Sequence, residues 1–171
     1  MTNQQLLDLL HSEVIPAIGC TEPIAVALCV ARAKEKLGAE PDSIKVYLSK
    51  NVYKNALAVG IPNTGMTGLP IAVALGAVAG KSEYELQVLK DADSCAVERA
   101  KSYLESADIK IDIDRQTTQM LYIRVEATGA AGQAVAIIEG THTNFTHISL
   151  NDNILFRATA DGCSGSGEQS E

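Results

Sequence analysis

Tryptophan is absent from this 171-residue chain and aromatic residues make up only 4% of it, while 46% of residues are hydrophobic. The core must therefore be built from Ala, Val, Ile and Leu, small side chains that suit helices packed closely on a sheet. Basic residues are also scarce. The net charge is −7, and the pI near 5.0 argues against nucleic acid or an anionic membrane as partner. No stripe of Lys and Arg with interleaved aromatics restores that option. The longest apolar runs, 24–33 and 69–79, are well short of the roughly 20 residues a membrane span needs. Residues 1–10 lack the basic-then-apolar order of a signal peptide. Cysteines at 20, 29, 95 and 163 have neither a CxxC spacing nor the density of a disulfide scaffold, which points to the cytoplasm. Cys29 and Cys95 fall in helical patterns and read as small packing residues.

The most informative stretch is Pro16-Ala-Ile-Gly-Cys-Thr-Glu-Pro-Ile-Ala-Val26. Gly19 permits a tight turn, Thr21 can cap a helix, and Pro23 is tolerated only in a first helical turn. The residues that follow are apolar on nearly every face. This predicts a buried helix from about 21 to 37, ended by Gly38, with Cys20 at its N-terminus. Unpaired N–H groups there favour a thiolate or a bound carboxylate. The competing reading is a small buried residue in a turn.

Around this helix the pattern predicts a first helix over 2–11, opened by a Thr2/Gln5 capping box, and a strand over 44–48. The Gly- and Asn-rich segment 50–68 reads as a loop, and a second all-round apolar helix covers 69–79. A Ser82/Glu85 capping box predicts a longer helix reaching about 104. Beyond residue 106 the periodicity becomes extended, giving strands near 109–113, 120–127, 134–139, 146–150 and 154–157. The class is α+β, with helices on one face of a largely antiparallel sheet, a helical N-terminal half and a strand-rich C-terminal half. Residues 1–160 read as one domain, and 161–171 as a flexible polar tail or linker.

Two further groups can carry chemistry. The 50–68 segment can cradle a carboxylate or phosphate with backbone N–H groups, Asn side chains and Lys54, although it has neither Walker nor dinucleotide spacing. Gly140-Thr-His-Thr-Asn144 can supply a base or hydrogen bonds to a substrate. His142 and His147 are five apart, not the alternating spacing of two ligands on one strand face, and His11 sits on a polar helix face. These residues define an anion-binding crevice with Cys and His nearby, and name no reaction.

In order and spacing, the 16–26 stretch, the 54–70 segment, Val88-Leu-Lys-Asp91 and Gly140–Asn144 resemble the N-terminal part of the L-cysteine desulfidase family. That family is related to the alpha chain of iron-sulfur L-serine dehydratases. The resemblance implies β-elimination without pyridoxal phosphate, turning L-cysteine into sulfide, ammonia and pyruvate, or acting on serine. A [4Fe-4S] cluster would be the Lewis acid. By position, it makes Cys20 and His142 the catalytic candidates, either of them the proton acceptor. It also makes Thr21, Glu22, Lys54, Asn55, Asn63, Thr64, Gly65 and Asn144 substrate-binding candidates. Members of that family extend past residue 171, and their cluster ligands lie in the extension, so none is assigned here. The expected partners are a small amino acid and a C-terminal half or subunit carrying those ligands, with homo-oligomerisation open. Two non-catalytic alternatives are a sensor of small carboxylates and a structural partner domain.

Overall fold

The computed structural model describes residues 2–5, 20–61 and 64–158. The sequence dictates helix α1 (Thr21–Leu37) almost residue by residue. Pro23 sits in its first turn, its apolar positions from Ile24 to Ala31 are all buried, and Gly38 takes the left-handed cap at φ 82°. Cys20, not Thr21, is the N-cap, with extended φ and ψ and no capping side-chain bond, so the expected Thr21 cap is corrected. Strand β1 (Ser43–Leu48) follows.

The expected loop over 50–68 is partly helical. Helix α2 (Lys50–Ala56) is capped by Ser49, whose hydroxyl accepts the Val52 N–H. Asn51, Asn55 and Val52 are weak helix formers, but Val52 and Ala56, one turn apart, are buried, and that packing outweighs propensity. The chain then turns tightly: Gly60 pairs with Thr67, and the Gly68 N–H donates to Val59 O at 3.0 Å. Helix α3 (Leu69–Val78) follows, buried on nearly every face.

The continuous helix expected over 82–104 is interrupted. A 3-10 helix (Ser82–Gln87) contains Glu85 at φ 51° and ψ −121°, and α4 (Ser94–Ser106) starts afresh where the Asp93 carboxylate accepts the Ala96 N–H at 2.8 Å. The Ser82 hydroxyl and N–H both donate to Glu35 of α1, so the Ser82/Glu85 box does not form. The Thr2/Gln5 box does form, each N–H donating to the other's side chain. The remainder of that first helix, Pro16, His11, and the 161–171 tail with Cys163 lie outside the described residues.

Strands β2 (Asp108–Ile113), β3 (Tyr122–Gly129), β4 (Gly132–Glu139), β5 (Phe145–Leu150) and β6 (Asn153–Arg157) complete a six-stranded sheet ordered β2-β1-β3-β4-β5-β6. Only β1 and β2 run parallel; the other neighbours are antiparallel. Asn151 and Asp152, both at positive φ, form the tight β5–β6 hairpin. One face buries Ile44, Val46, Ile123, Val125, Ala134 and Ala136, and α1 lies over the β3 and β4 part of it. The fold is α+β, helical first and strand-rich later, and its largest fully buried side chains are all Ile, Leu and Val.

Two contacts set the direction of α3. A Cβ on Gly76 would lie 2.6 Å from Ala27 O and 3.1 Å from Val30 Cβ, and one on Gly80 would lie 2.8 Å from Ala31 Cβ. The contact points advance together along both segments, so α3 runs in the same sense as α1. Both N-termini open toward one end of the molecule. That end of the sheet carries Leu48, Ile113, Tyr122 and Glu139, which are register partners.

Candidate functional site

At this end Cys20 precedes α1 and the β4–β5 connection passes beside it. The Cys20 thiol donates to Glu22 Oε2 at 3.0 Å, and the Thr21 hydroxyl donates to the same oxygen at 3.2 Å. Glu22 Oε1 is 3.8 Å from His142 Nε2, an ion pair whenever the imidazole is protonated. Thiol, carboxylate and imidazole thus form a continuous line half-sheltered from water. Because Cys20 is extended and not helical, its side chain can reach a residue only two positions on.

The electrostatics reverse one expectation. Burial, and then the hydrogen bond to anionic Glu22, push the Cys20 thiol up from its ordinary value, despite the helix N–H groups that pull the other way. A thiolate at rest is therefore not what this helix start favours. Burial also pushes the Glu22 carboxyl up, but donors from Cys20, its own backbone and Thr21, with the His142 charge, outweigh it and hold it below its ordinary value. The resting pair is a neutral thiol donating to a carboxylate.

The other predicted residues distribute around the same end without touching this line. The Thr64 hydroxyl donates to Ile61 O at 2.8 Å and accepts the Met66 N–H at 2.9 Å, so it shapes the turn before α3; Gly65 supplies the positive φ there. The Asn144 amide donates to Glu139 O at 2.9 Å and closes the connection that carries His142. Lys54 and Asn55 are exposed on α2, and Asn63 lies outside the described residues. His147 lies within β5, paired with Ile137 and Arg157, away from His142. Glu22, expected only among the substrate-binding candidates, is the hub that joins the two catalytic candidates. Its signal was an acid in the first helical turn, directly after Cys-Thr.

The three described thiols, Cys20, Cys29 and Cys95, do not form a cluster-binding set. Cys29 is fully buried, donates to Ala136 O at 3.3 Å and is pushed up by burial, as its packing role requires. Cys95 is exposed at the start of α4, correcting the expectation that it packs inside. Among the described residues no three His, Cys, Asp or Glu side chains converge to hold a metal. No helix among them is long and apolar enough to cross a membrane.

Fold and site together define an α+β domain whose buried helix opens on a thiol–carboxylate–imidazole line. No family model and no solved structure matches the chain. It is 55% identical over 152 residues to a UPF0597 protein of Bacteroides fragilis, covering 89% of this chain and 36% of that one. A UPF0597 protein of Phocaeicola vulgatus is 48% identical over 98% of this chain and 39% of its own length. UPF0597 protein YhaM of Escherichia coli is 39% identical over 97% of this chain and 38% of its own. The chain therefore spans somewhat more than a third of the length of the curated relatives it matches. These names correct the resemblance to the L-cysteine desulfidase family. The relatives are called neither cysteine desulfidase nor serine dehydratase alpha chain, so the resemblance does not place this chain in that family.

Proposed function

We propose that the chain is the acid–base part of a longer enzyme that eliminates a β-substituent from a small L-amino acid, cysteine or serine, without pyridoxal phosphate. The observation that carries this reading is the Cys20–Glu22–His142 line, a proton donor and a proton acceptor bridged by one carboxylate. Since Cys20 is held as a thiol, it is the acid and His142 the base. The imidazole nitrogen turned from Glu22 takes the α-proton, and the C–H electron pair becomes the Cα–Cβ double bond. The Cβ–S or Cβ–O bond breaks, and the departing sulfide or hydroxide takes the Cys20 proton. Glu22 stabilises the imidazolium and returns its proton to Cys20. The 2-aminoacrylate product hydrolyses to pyruvate and ammonia. An iron-sulfur cluster, if the longer protein holds one, takes its ligands from beyond the described residues; no step above passes through it.

The test is an anaerobic assay of a full-length relative, reconstituted with iron and sulfide, for pyruvate from cysteine and serine and for sulfide from cysteine. Replacement at the positions of Cys20, Glu22 and His142 is expected to abolish turnover while leaving the fold intact by circular dichroism. No product from either amino acid, or full turnover by the His142→Asn equivalent, refutes the assignment. Binding of cysteine without turnover supports a sensor instead.

A further inference from the structure

The same end of the sheet carries a second feature that shares no residue with the Cys20 line. Between α2 and the β2–β3 connection lies a groove of about 410 Å³, lined by Lys50, Asn51 and Lys54 on one side and by Asp114, Arg115 and Thr117 on the other. Lys50 and Lys54 are one turn apart on α2, a like-charge pair that disfavours the helix it occupies. Arg115 faces them across the groove. None of these three cations forms an ion pair or side-chain hydrogen bond with any described residue, unlike Lys81, Lys101 and Arg99; Lys36, Lys45 and Arg157 are exposed and unpaired too, but none of them lines this groove. Asp114 also lines the groove, its Oδ1 accepting the N–H groups of Gln116 and Thr117, and its single negative charge offsets only one of the three cations. In a chain of net charge −7, with only 14 Lys and Arg, three unpaired cations around one groove are a concentration of positive charge against the general trend.

We infer that this groove binds a small ligand bearing a dianionic oxyanion, a phosphate or a pair of carboxylates. The planar guanidinium of Arg115 suits two oxygens at once, and the two ammonium groups supply point charges on the opposite wall. Asn51 and Thr117 add neutral polar groups at the rim. Binding relieves the repulsion between Lys50 and Lys54, so the ligand stabilises α2 as well as filling the groove. The inference is independent of the elimination chemistry, because it concerns a different set of side chains and is read by binding alone.

The experiment is isothermal titration of the 171-residue chain, at constant ionic strength, with inorganic phosphate, a phosphate monoester and succinate, and with acetate as the monoanionic control. Saturable binding of at least one dianion at one site, with acetate much weaker, is expected. Lys54→Gln and Arg115→Gln should each weaken it about tenfold, the factor a charge-assisted hydrogen bond carries. Lys36→Gln, on exposed α1 surface, should leave it unchanged. Preference among the three dianions separates a phosphate site from a dicarboxylate site. No saturation by any of them, equal binding of acetate, or affinity insensitive to Lys54→Gln and Arg115→Gln overturns the inference. All three positions are exposed, so the variants are expected to fold.

Discussion

Gly76→Ala tests the contact that gives α3 its direction. The added methyl would sit 2.6 Å from the Ala27 carbonyl oxygen and 3.1 Å from both Ala27 Cα and Val30 Cβ. Restoring an ordinary contact of 3.4 Å to that oxygen needs a shift of about 0.8 Å between two backbones, and no flexible side chain can yield in their place. Overpacking of this kind costs about 1–3 kcal/mol and more where backbone must move, while replacing a mid-helix glycine by alanine returns about 1 kcal/mol. The net is a loss of about 1–2 kcal/mol, which for a chain of this size lowers Tm by about 2–8 °C. Gly60→Ala is the matched control. Nothing lies within 4 Å of a Cβ there and the φ is ordinary, so that variant should be neutral or gain about 0.4–1 kcal/mol. Thermal unfolding followed at 222 nm reads both. A Gly76→Ala protein that melts with or above the Gly60→Ala protein would mean that α1 and α3 do not cross there, and the shared opening of their N-termini would fall with that contact.

Asp93→Ala should cost about 1 kcal/mol by removing the cap that starts α4, seen as a lower denaturant midpoint at unchanged slope; no change would return the helix start to Ser82. Glu22→Gln should lower the pH at which Cys20 becomes reactive to iodoacetamide, measured in a Cys95→Ser, Cys163→Ser background, because the anionic acceptor is gone and only burial still raises the thiol. An unmoved titration would leave burial as the whole cause. The Glu22 carboxyl lies below its ordinary 4.5 when folded, so its ionised form contributes stability that is present above that pH and lost as pH falls through the folded value. The Glu22→Gln protein should therefore show a flatter stability profile than the wild type below about pH 4.5 in urea titrations; parallel profiles would sink this.

Where periodicity and punctuation agreed, the sequence was a sufficient guide. Helix α1 has proline at its start, glycine at its end and apolar residues all round between them, and the structure adds only that Cys20 is the cap. Strands β2, β3 and β4 alternate because one sheet face is covered and the other is not, whereas edge strand β6 is exposed throughout. The errors come from partners distant in the chain. Ser82 followed by Glu85 has the form of a capping box, but Glu35, 47 residues earlier, takes both of Ser82's donors, and Asp93 offers a competing cap that the pattern cannot rank. Helix α2 was hidden by two asparagines, and only the burial of Val52 and Ala56 against the sheet makes it helical. Cys20 and His142 were visible as candidates. That they share one carboxylate was not, because it depends on the β4–β5 turn that Asn144 closes, 120 positions after Glu22.

That carboxylate decides what the thiol can do. A cysteine at a helix N-terminus meets donors that would stabilise a thiolate, and with no acid nearby it would be read as a base or nucleophile. Here the acid occupies the same turn and captures the favourable N–H environment for itself: its own backbone donor and two side-chain donors converge on it, one of them the thiol. The helix end therefore stabilises one negative charge, on Glu22, and adding a second on Cys20 within 3.0 Å is opposed by repulsion as well as burial. A negatively charged substrate approaching the same end raises that opposition further. Of the two orders in which the line can pass a proton, only the one starting from a protonated thiol avoids placing two anions side by side. On the far side of the same carboxylate, Glu22 Oε1 lies 3.8 Å from His142 Nε2, so the imidazole meets that one charge and not the thiol.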